Sequence, residues 1–363
     1  TSSKVYEKIF GMRVRINNIK VIDLFCGIGG LSHGFVQKGF NVVAGFDIDK
    51  TCQYAYEYNN NAKFFHQDIN SVTGEQLAKL YKRSKIKVLA GCAPCQPFSS
   101  YSFKVKEKDK GKYGLLYSFG RLVEEVLPEI VTMENVLQIV NFKEPVLQDF
   151  VDTLNRCGYF VSVNKVFCPN YGIPQSRKRL VLLASRLGFI DLIPPTHTKK
   201  NYVTVRDTIG CLPPIKAGEV YPTDALHAAT NLGELNMKRM LATPPGGSWK
   251  DWPEDLLLDC HKKKTGKTYG SVYGRMSWDE PSPTMTTLCT GIGNGRFGHP
   301  EQNRAISVRE AALLQTFPME YQFFSSDDVV SIAKASRYIG NAVPPKLGEV
   351  IAESIIRHLK TLK

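Results

Sequence analysis

The sequence has no apolar run approaching the roughly 18 residues that a membrane-spanning helix needs, and no secretory pattern at its start. It has no second Cys-x-x-Cys and no His-x-x-x-His to complete a zinc site begun by Cys92 and Cys95. Its 9 cysteines are scattered and odd in number, which speaks against a disulfide framework and for reduced thiols in a cytoplasmic protein. No internal repeat is evident. These absences speak against a protein with membrane-spanning helices, a small disulfide scaffold and a repeat array.

What remains is a chain of 363 residues, 43% hydrophobic and 22% charged, long enough for a full-sized core and two domains. Its net charge of +13 suggests a polyanionic partner, although charge alone leaves a merely basic enzyme open. The basic excess lies in residues 1–20, 101–115 and 331–363, whereas 187–300 is nearly balanced. A phosphate-contacting surface is expected to draw on the ends and on 101–115 at least as much as on the middle.

The first half alternates β-branched runs (20–26, 42–47, 88–91, 130–135, 159–167 and 180–185) with amphipathic helical patterns. Thr73 through Gln76 has capping-box spacing and opens a helix to about residue 82. Leu147, Phe150, Val151 and Leu154 share one helical face, and Gly158 can close that helix. Such alternation predicts a parallel sheet covered on both faces. Residues 188–300, rich in Pro, Gly and Thr, read as a second, loop-rich domain. Helical patterning returns after Ser307, and Leu347, Val350, Ile351 and Ile355 predict an amphipathic C-terminal helix.

Val21 through Gly30 reads as a strand entering a glycine turn and then a helix, with Gly27 and Gly29 letting the backbone approach a ligand. A second strand ends in Asp47, where a carboxylate can take ribose hydroxyls, and a further acid follows at Asp68. The pattern suits an adenosine-containing cofactor. NAD normally wants a third glycine, and position 32 is serine; the pattern leans to S-adenosylmethionine without deciding.

Gly91 through Ser99 follows the third core strand, at the carboxyl end where α/β sheets place active sites. Cys92 and Cys95 admit a zinc half-site, a redox pair or structural cysteines as readings. Further motifs narrow the choice: Glu134-Asn135-Val136 at the next strand end, Gln175-x-Arg177-x-Arg179 before another strand, Arg309-Glu310, and Gly340-Asn341 ahead of the last helix. Strand alternation is expected to put Arg177 and Arg179 on one face.

In this order, with Phe25-x-Gly27-x-Gly29 and Pro94-Cys95-Gln96, the motifs resemble the C5-cytosine DNA methyltransferase family of prokaryotic type, over most of the chain. The resemblance implies an α/β, Rossmann-like S-adenosylmethionine-dependent domain over 18–187, completed by 301–363, with a smaller target-recognition domain over 188–300. It implies methyl transfer to carbon-5 of a flipped cytosine in duplex DNA, with Cys95 as nucleophile, Glu134 at the ring nitrogen, Arg179 on the base carbonyl and Arg177 in support. Cys92 is left as strand-end packing. The cofactor would lie on Phe25, Cys26, Gly27, Gly29, Asp47, Ile48, Asp68, Ile69, Pro94, Leu115, Asn341 and Ala342, and no metal is called for. DNA contacts are expected from Gln96, Ser99, Lys104, Lys106, Lys262, Lys263 and Thr286, with base readout from Arg275 and Arg296. Residues 99–113 would form a flap over the DNA. Arg309-Glu310 is expected to be a structural ion pair. The expected setting is a monomer on cytoplasmic or nucleoid DNA, with a cognate restriction endonuclease as a possible companion. Rival readings are a transfer-RNA methyltransferase of the same fold, a non-catalytic DNA-binding relative, and an NAD-dependent oxidoreductase.

Overall fold

A computed structural model describes residues 6–9, 12–94, 110–141, 145–263, 266 and 270–362. The chain divides into two compact units, one of Thr1–Phe167, Lys178–Pro195 and Val343–Lys363, the other of Cys168–Arg177 and Thr196–Ala342. The segment 301–342 thus lies in the second unit.

The first unit is built on β1 (Tyr6–Ile9), β2 (Met12–Arg15), β3 (Ile19–Leu24), β4 (Asn41–Asp47), β5 (Lys63–His66), β6 (Ile86–Gly91), β7 (Ile130–Val136), β8 (Phe160–Phe167) and β9 (Lys178–Ser185). Strands β1 and β2 make a separate two-stranded antiparallel sheet, and the others form one sheet in the order β5-β4-β3-β6-β7-β9-β8. From β5 to β7 the pairs are parallel, but β9 runs antiparallel to both β7 and β8. The expected all-parallel sheet is corrected at this edge. Only the short segment 168–177 separates β8 from β9, too little for the crossover helix that a parallel pair requires.

Helices α1 (Gly30–Gln37), α2 (Gln53–Asn60), α3 (Gly74–Tyr81), α4 (Lys110–Val126) and α5 (Val146–Arg156) fill the crossovers. Thr73 caps α3 by accepting from the Gln76 amide, while the Gln76 side chain turns to Gln67 instead of closing the box. Helix α5 buries Val146, Phe150 and Leu154 and is followed by Gly158 at φ +80°. These side chains join Leu24, Leu89, Phe119 and Val131 in one apolar core, each buried large side chain contributing roughly 1.5–3 kcal/mol. The C-terminal helix, α11 (Pro345–Thr361), lies against α1 so closely that a Cβ on Gly34 would stand 2.5 Å from the Glu349 amide nitrogen. That contact admits only glycine.

The second unit holds short elements: α6 (Val205–Ile209), β10 (Val220–Tyr221), β11 (Asp224–Ala228), α7 (Glu234–Leu241), α8 (Asp259–Lys262), α9 (Val308–Leu314) and α10 (Ile332–Asn341). Loops dominate, and their carbonyls need partners that no ladder supplies. Buried arginines provide them. The Arg275 guanidinium donates to the carbonyls of Thr243, Met240, His299 and Gln302 and to Asn303 Oδ1, at 2.6–3.0 Å. Arg304, fully buried, makes two 2.7 Å bonds to Glu310 and one to the Ile215 carbonyl. Five fixed N–H donors suit guanidinium to this bracing.

Arg309 and Glu310 do not pair with each other. Neighbours on a helix project in different directions: Arg309 reaches Asp224, and Glu310 pairs with Arg304 while closing a capping box with Ser307.

Candidate active site

Strands β6 and β7 are parallel, with Gly91 opposite Met133. The next residues, Cys92 and Glu134, are therefore neighbours at the carboxyl end of the sheet. The Cys92 thiol donates to Glu134 Oε2 at 2.9 Å. The pairing of β7 with β9 sets Glu134 opposite Val181, two residues from Arg179, so Glu134 and Arg179 are diagonal neighbours on one face. Arg179 Nε lies 2.9 Å from Glu134 Oε1. The approach is an ion pair by distance, but among the described residues Oε1 receives no aligned hydrogen bond. Glu134 is 2% exposed, so the site holds a buried carboxylate with one oxygen gripped and the other available. Asn135 donates from its side chain to the Ala93 carbonyl, tying the β7 end to the loop that carries Pro94.

Cys95 lies outside the described residues, with Gln96, Ser99, Lys104, Lys106 and most of the expected flap. Pro94, immediately before it, is exposed.

Arg177 is not within β9, which begins at Lys178, so the strand alternation expected to align it with Arg179 does not reach it. It is 3% exposed and donates to the carbonyls of Met285 and Ala342 within the second unit, a bracing arrangement like that of Arg275.

The glycine turn lies at the carboxyl end of β3. Phe25, Gly27 and Gly29 all have positive φ, at 59°, 50° and 92°. At Gly29 a Cβ would also fall 2.3 Å from Asn60 Nδ2 and 2.9 Å from Tyr56, so glycine is required there. Asp47 ends β4 and accepts from the Gly27 and Asp49 amides, both at 2.8 Å. Burial pushes its carboxyl above the ordinary range, against the pull of those two amides. Beside it Ile48 is 69% exposed, an apolar side chain with no core to cover it. Asp68 is exposed and caps a short 3-10 turn through the Asn70 amide; Ile69 is buried in the core. Cys26 is buried, while Phe25 and Leu115 are half-buried. A carboxylate beside a glycine turn, next to an exposed apolar wall, is the donor set an adenosine needs: acceptors for ribose hydroxyls and a surface for the purine. Asn341 and Ala342 lie at and just past the end of α10.

Beneath this turn lies a group the motifs did not single out. Asp23, 1% exposed, accepts from Ser32 Oγ at 2.7 Å, and Ser32 also bonds Tyr56. Burial pushes Asp23 up to about 7. The available signal was an acid inside an otherwise apolar strand.

Among expected DNA contacts, Lys262, Lys263 and Thr286 are exposed. Arg275 is corrected: it is 3% exposed with all its nitrogens occupied, so it has no donor for a base edge. Arg296 is half-buried, its Nη1 bound to the Gly246, Gly247 and Arg275 carbonyls. Among the described residues no group of three His, Cys, Asp or Glu could hold a metal, and no helix is long and apolar enough to cross a membrane.

Comparison with known proteins agrees with this geometry. Residues 19–357 match the family model of the C-5 cytosine-specific DNA methylases. The chain is 52% identical over 343 residues to the Type II methylase M.HgiDII of Herpetosiphon aurantiacus, covering 94% of this chain and 96% of that one. It is 30% identical to the Type II methyltransferase M.Eco47II of Escherichia coli, over 94% and 80% of the two chains. A DNA modification methyltransferase encoded within an Escherichia coli prophage superposes with a TM-score of 0.72 at 22% identity, over 93% of this chain and 99% of that one. The S. pombe Dnmt2 methyltransferase gives 0.56 at 18% identity, over 93% and 99%. These two structures speak to the fold, a methyltransferase α/β architecture. With an acid and an arginine set at the sheet end, and the family model spanning nearly the whole chain, this protein belongs to the C-5 cytosine-specific DNA methylases and is a DNA (cytosine-5)-methyltransferase.

Proposed function

We propose that Cys95 is the nucleophile and Glu134 the acid of this methylation, with Arg179 on the base. The observation carrying the reading is the buried Glu134 carboxylate, with one oxygen held by Cys92 and the other ion-paired to Arg179 but without an aligned hydrogen bond among the described residues.

Cytosine is poorly nucleophilic at carbon-5. Thiolate addition from Cys95 forms a sulfur–carbon-6 bond, and the displaced electron pair moves through the ring toward the nitrogen next to the amino group. Glu134 donates its proton to that nitrogen, and carbon-5 becomes enamine-like. Arg179 donates to the base carbonyl and offsets the charge that builds there. S-adenosylmethionine, when bound, supplies a methyl group activated by its positive sulfur for uptake by carbon-5. Loss of the carbon-5 proton to water then lets the Cys95 bond break, and Glu134 recovers its proton. These ring atoms are hidden in the stack, so the base is flipped out to react.

The cofactor would be held by the turn Phe25, Cys26, Gly27 and Gly29, by Asp47 on the ribose, by Ile48, Asp68 and Ile69 around the adenine, by Pro94 and Leu115 as wall, and by Asn341 and Ala342 at the amino-acid end. Lys262 and Lys263 would meet DNA phosphates, with Lys104 and Lys106 of the flap, while Gln96, Ser99 and Thr286 would lie near the flipped nucleotide. Arg177 would support the site by bracing backbone. The enzyme would work as a monomer on nucleoid DNA in the bacterial cytoplasm, and the Type II names of its relatives support a cognate restriction endonuclease beside it.

Methyl transfer from labelled cofactor to duplex DNA and to transfer RNA tests the substrate. Transfer to duplex DNA is expected, and activity on RNA alone overturns it. Cys95→Ala is expected to lower transfer by about a thousandfold or more while keeping S-adenosylhomocysteine binding; appreciable turnover overturns the nucleophile.

A further inference from the structure

The contact between Cys92 and Glu134 assigns this cysteine a task that its place in Cys-x-x-Cys conceals. We propose that Cys92 is a positioning residue, its thiol holding Glu134 Oε2 so that the unbonded Oε1 is presented to the target base. The inference rests on the role of Glu134 in methyl transfer.

Three observations carry it. The register of β6 and β7 brings Cys92 beside Glu134 by main-chain pairing, since Gly91 faces Met133 one step earlier. The thiol then donates to Oε2 at 2.9 Å, well inside the reach of a sulfur donor. Oε1 of the same carboxylate is buried and receives no hydrogen bond among the described residues, although Arg179 Nε stands 2.9 Å away.

A buried polar atom that receives no aligned hydrogen bond is costly unless a ligand completes it. A carboxylate free to rotate about its last bond would turn Oε1 into line with the Arg179 N–H already 2.9 Å away. A donor fixed on Oε2 opposes that swing and keeps one oxygen for the cytosine ring. Cys92 is half-buried and directly follows β6, its amide held by the Leu24 carbonyl of β3 at 3.2 Å. The thiol need not change protonation, form a bond to substrate or touch cofactor; it acts only through Glu134.

Removing the donor should therefore slow the chemical step and leave binding alone, and a hydroxyl at the same position should restore it. The test compares Cys92→Ala and Cys92→Ser with the unaltered enzyme, using single-turnover methyl transfer to duplex DNA, the KM for S-adenosylmethionine, DNA affinity and thermal melting. In Cys92→Ala the single-turnover rate is expected to fall about tenfold, with KM and DNA affinity within about twofold. In Cys92→Ser the rate is expected to return to within about threefold. A packing role would instead make serine as poor as alanine or poorer, because it adds a polar atom without the size of sulfur. That ranking, or unchanged rates in both variants, overturns the proposal, as does a loss that appears in KM. Should Cys92→Ala melt early, the serine variant alone decides: a folded serine enzyme with an alanine-like rate loss contradicts the positioning role. An unaltered enzyme with no transfer to duplex DNA would instead refute the proposed function, so the two failures are distinguishable.

Discussion

The two units solve the same problem, the pairing of buried backbone, by different means. In the first, seven strands pair with one another and the interior is left to apolar side chains such as Leu24, Leu89, Phe119 and Val131. In the second, loops leave carbonyls unmet, and arginines go inside to reach them. The lesson concerns charge. In the sheet-based unit the ladder meets the backbone, and the buried Glu134 is the group proposed above for chemistry; in the loop-built unit buried arginines such as Arg275 and Arg304 hold backbone carbonyls.

The comparison can be broken most forcefully at Arg304. Arg304→Ala leaves Glu310 buried without its two 2.7 Å bonds and is expected to destabilise the second unit by about 3–5 kcal/mol. Urea or thermal melting reads this. A variant of unaltered stability would show that these arginines are not what holds the loops.

Acid sharpens the contrast, because buried groups of the two units, Asp23 against Glu310 and His299, respond with opposite sign. Burial works to raise Glu310, but the bonds and charge of Arg304 prevail and hold it below the ordinary carboxylate range. Burial pushes His299 from 6.5 down to about 4, against the pull of Glu310. Both groups bind protons less readily folded than unfolded, so their stabilisation is present at neutral pH and lost on acidification. The His299 share fades between its unfolded value of 6.5 and about 4, and is worth about 3 kcal/mol. Asp23 in the first unit is the reverse: raised from 3.8 to about 7, it favours the fold below 3.8 and loses that contribution as pH climbs toward 7. Melting from pH 4 to 8 with His299→Gln and Asp23→Asn separates the two. His299→Gln is expected to flatten the acid side, and Asp23→Asn to raise stability most near pH 8. Curves that shift in parallel at all pH values would count against both assignments.

The smallest effects belong to the exposed lysines. Lys262→Ala and Lys263→Ala are each expected to weaken duplex binding a few-fold and to lower the salt slope by about 1 for each phosphate no longer neutralised. Arg275→Ala should instead lower the melting temperature. A change in preferred DNA sequence without loss of stability would restore Arg275 as a base reader.

Much of the first unit is legible in the sequence because its signals are local. Apolar runs mark strands, glycines mark the turn at Phe25–Gly29, and Thr73 and Gly158 mark helix ends. Strand β5, Lys63–His66, carries too little pattern in four residues to stand out, and the reversal of β9 depends on a connection whose geometry no periodicity records. At the site, the residue types are readable but their partners are not. Spacing couples Cys92 to Cys95, whereas its hydrogen bond to Glu134 spans two strands. Arg275 and Arg296 read as base contacts because arginine pairs well with guanine in the major groove; the carbonyls that draw them inward have no signature in the residues themselves.

The central claim, that chemistry passes from Cys95 through a base held by Glu134, is tested most directly by trapping. Duplex DNA carrying 5-fluorocytosine at the target cytosine, incubated with enzyme and S-adenosylmethionine, is expected to give a covalent protein–DNA adduct, because fluorine cannot leave as the carbon-5 proton does. Peptide mass spectrometry should place the adduct on Cys95, and Cys95→Ala should form none. An enzyme that methylates ordinary duplex yet forms no adduct, or that carries it on Cys92, would contradict the mechanism.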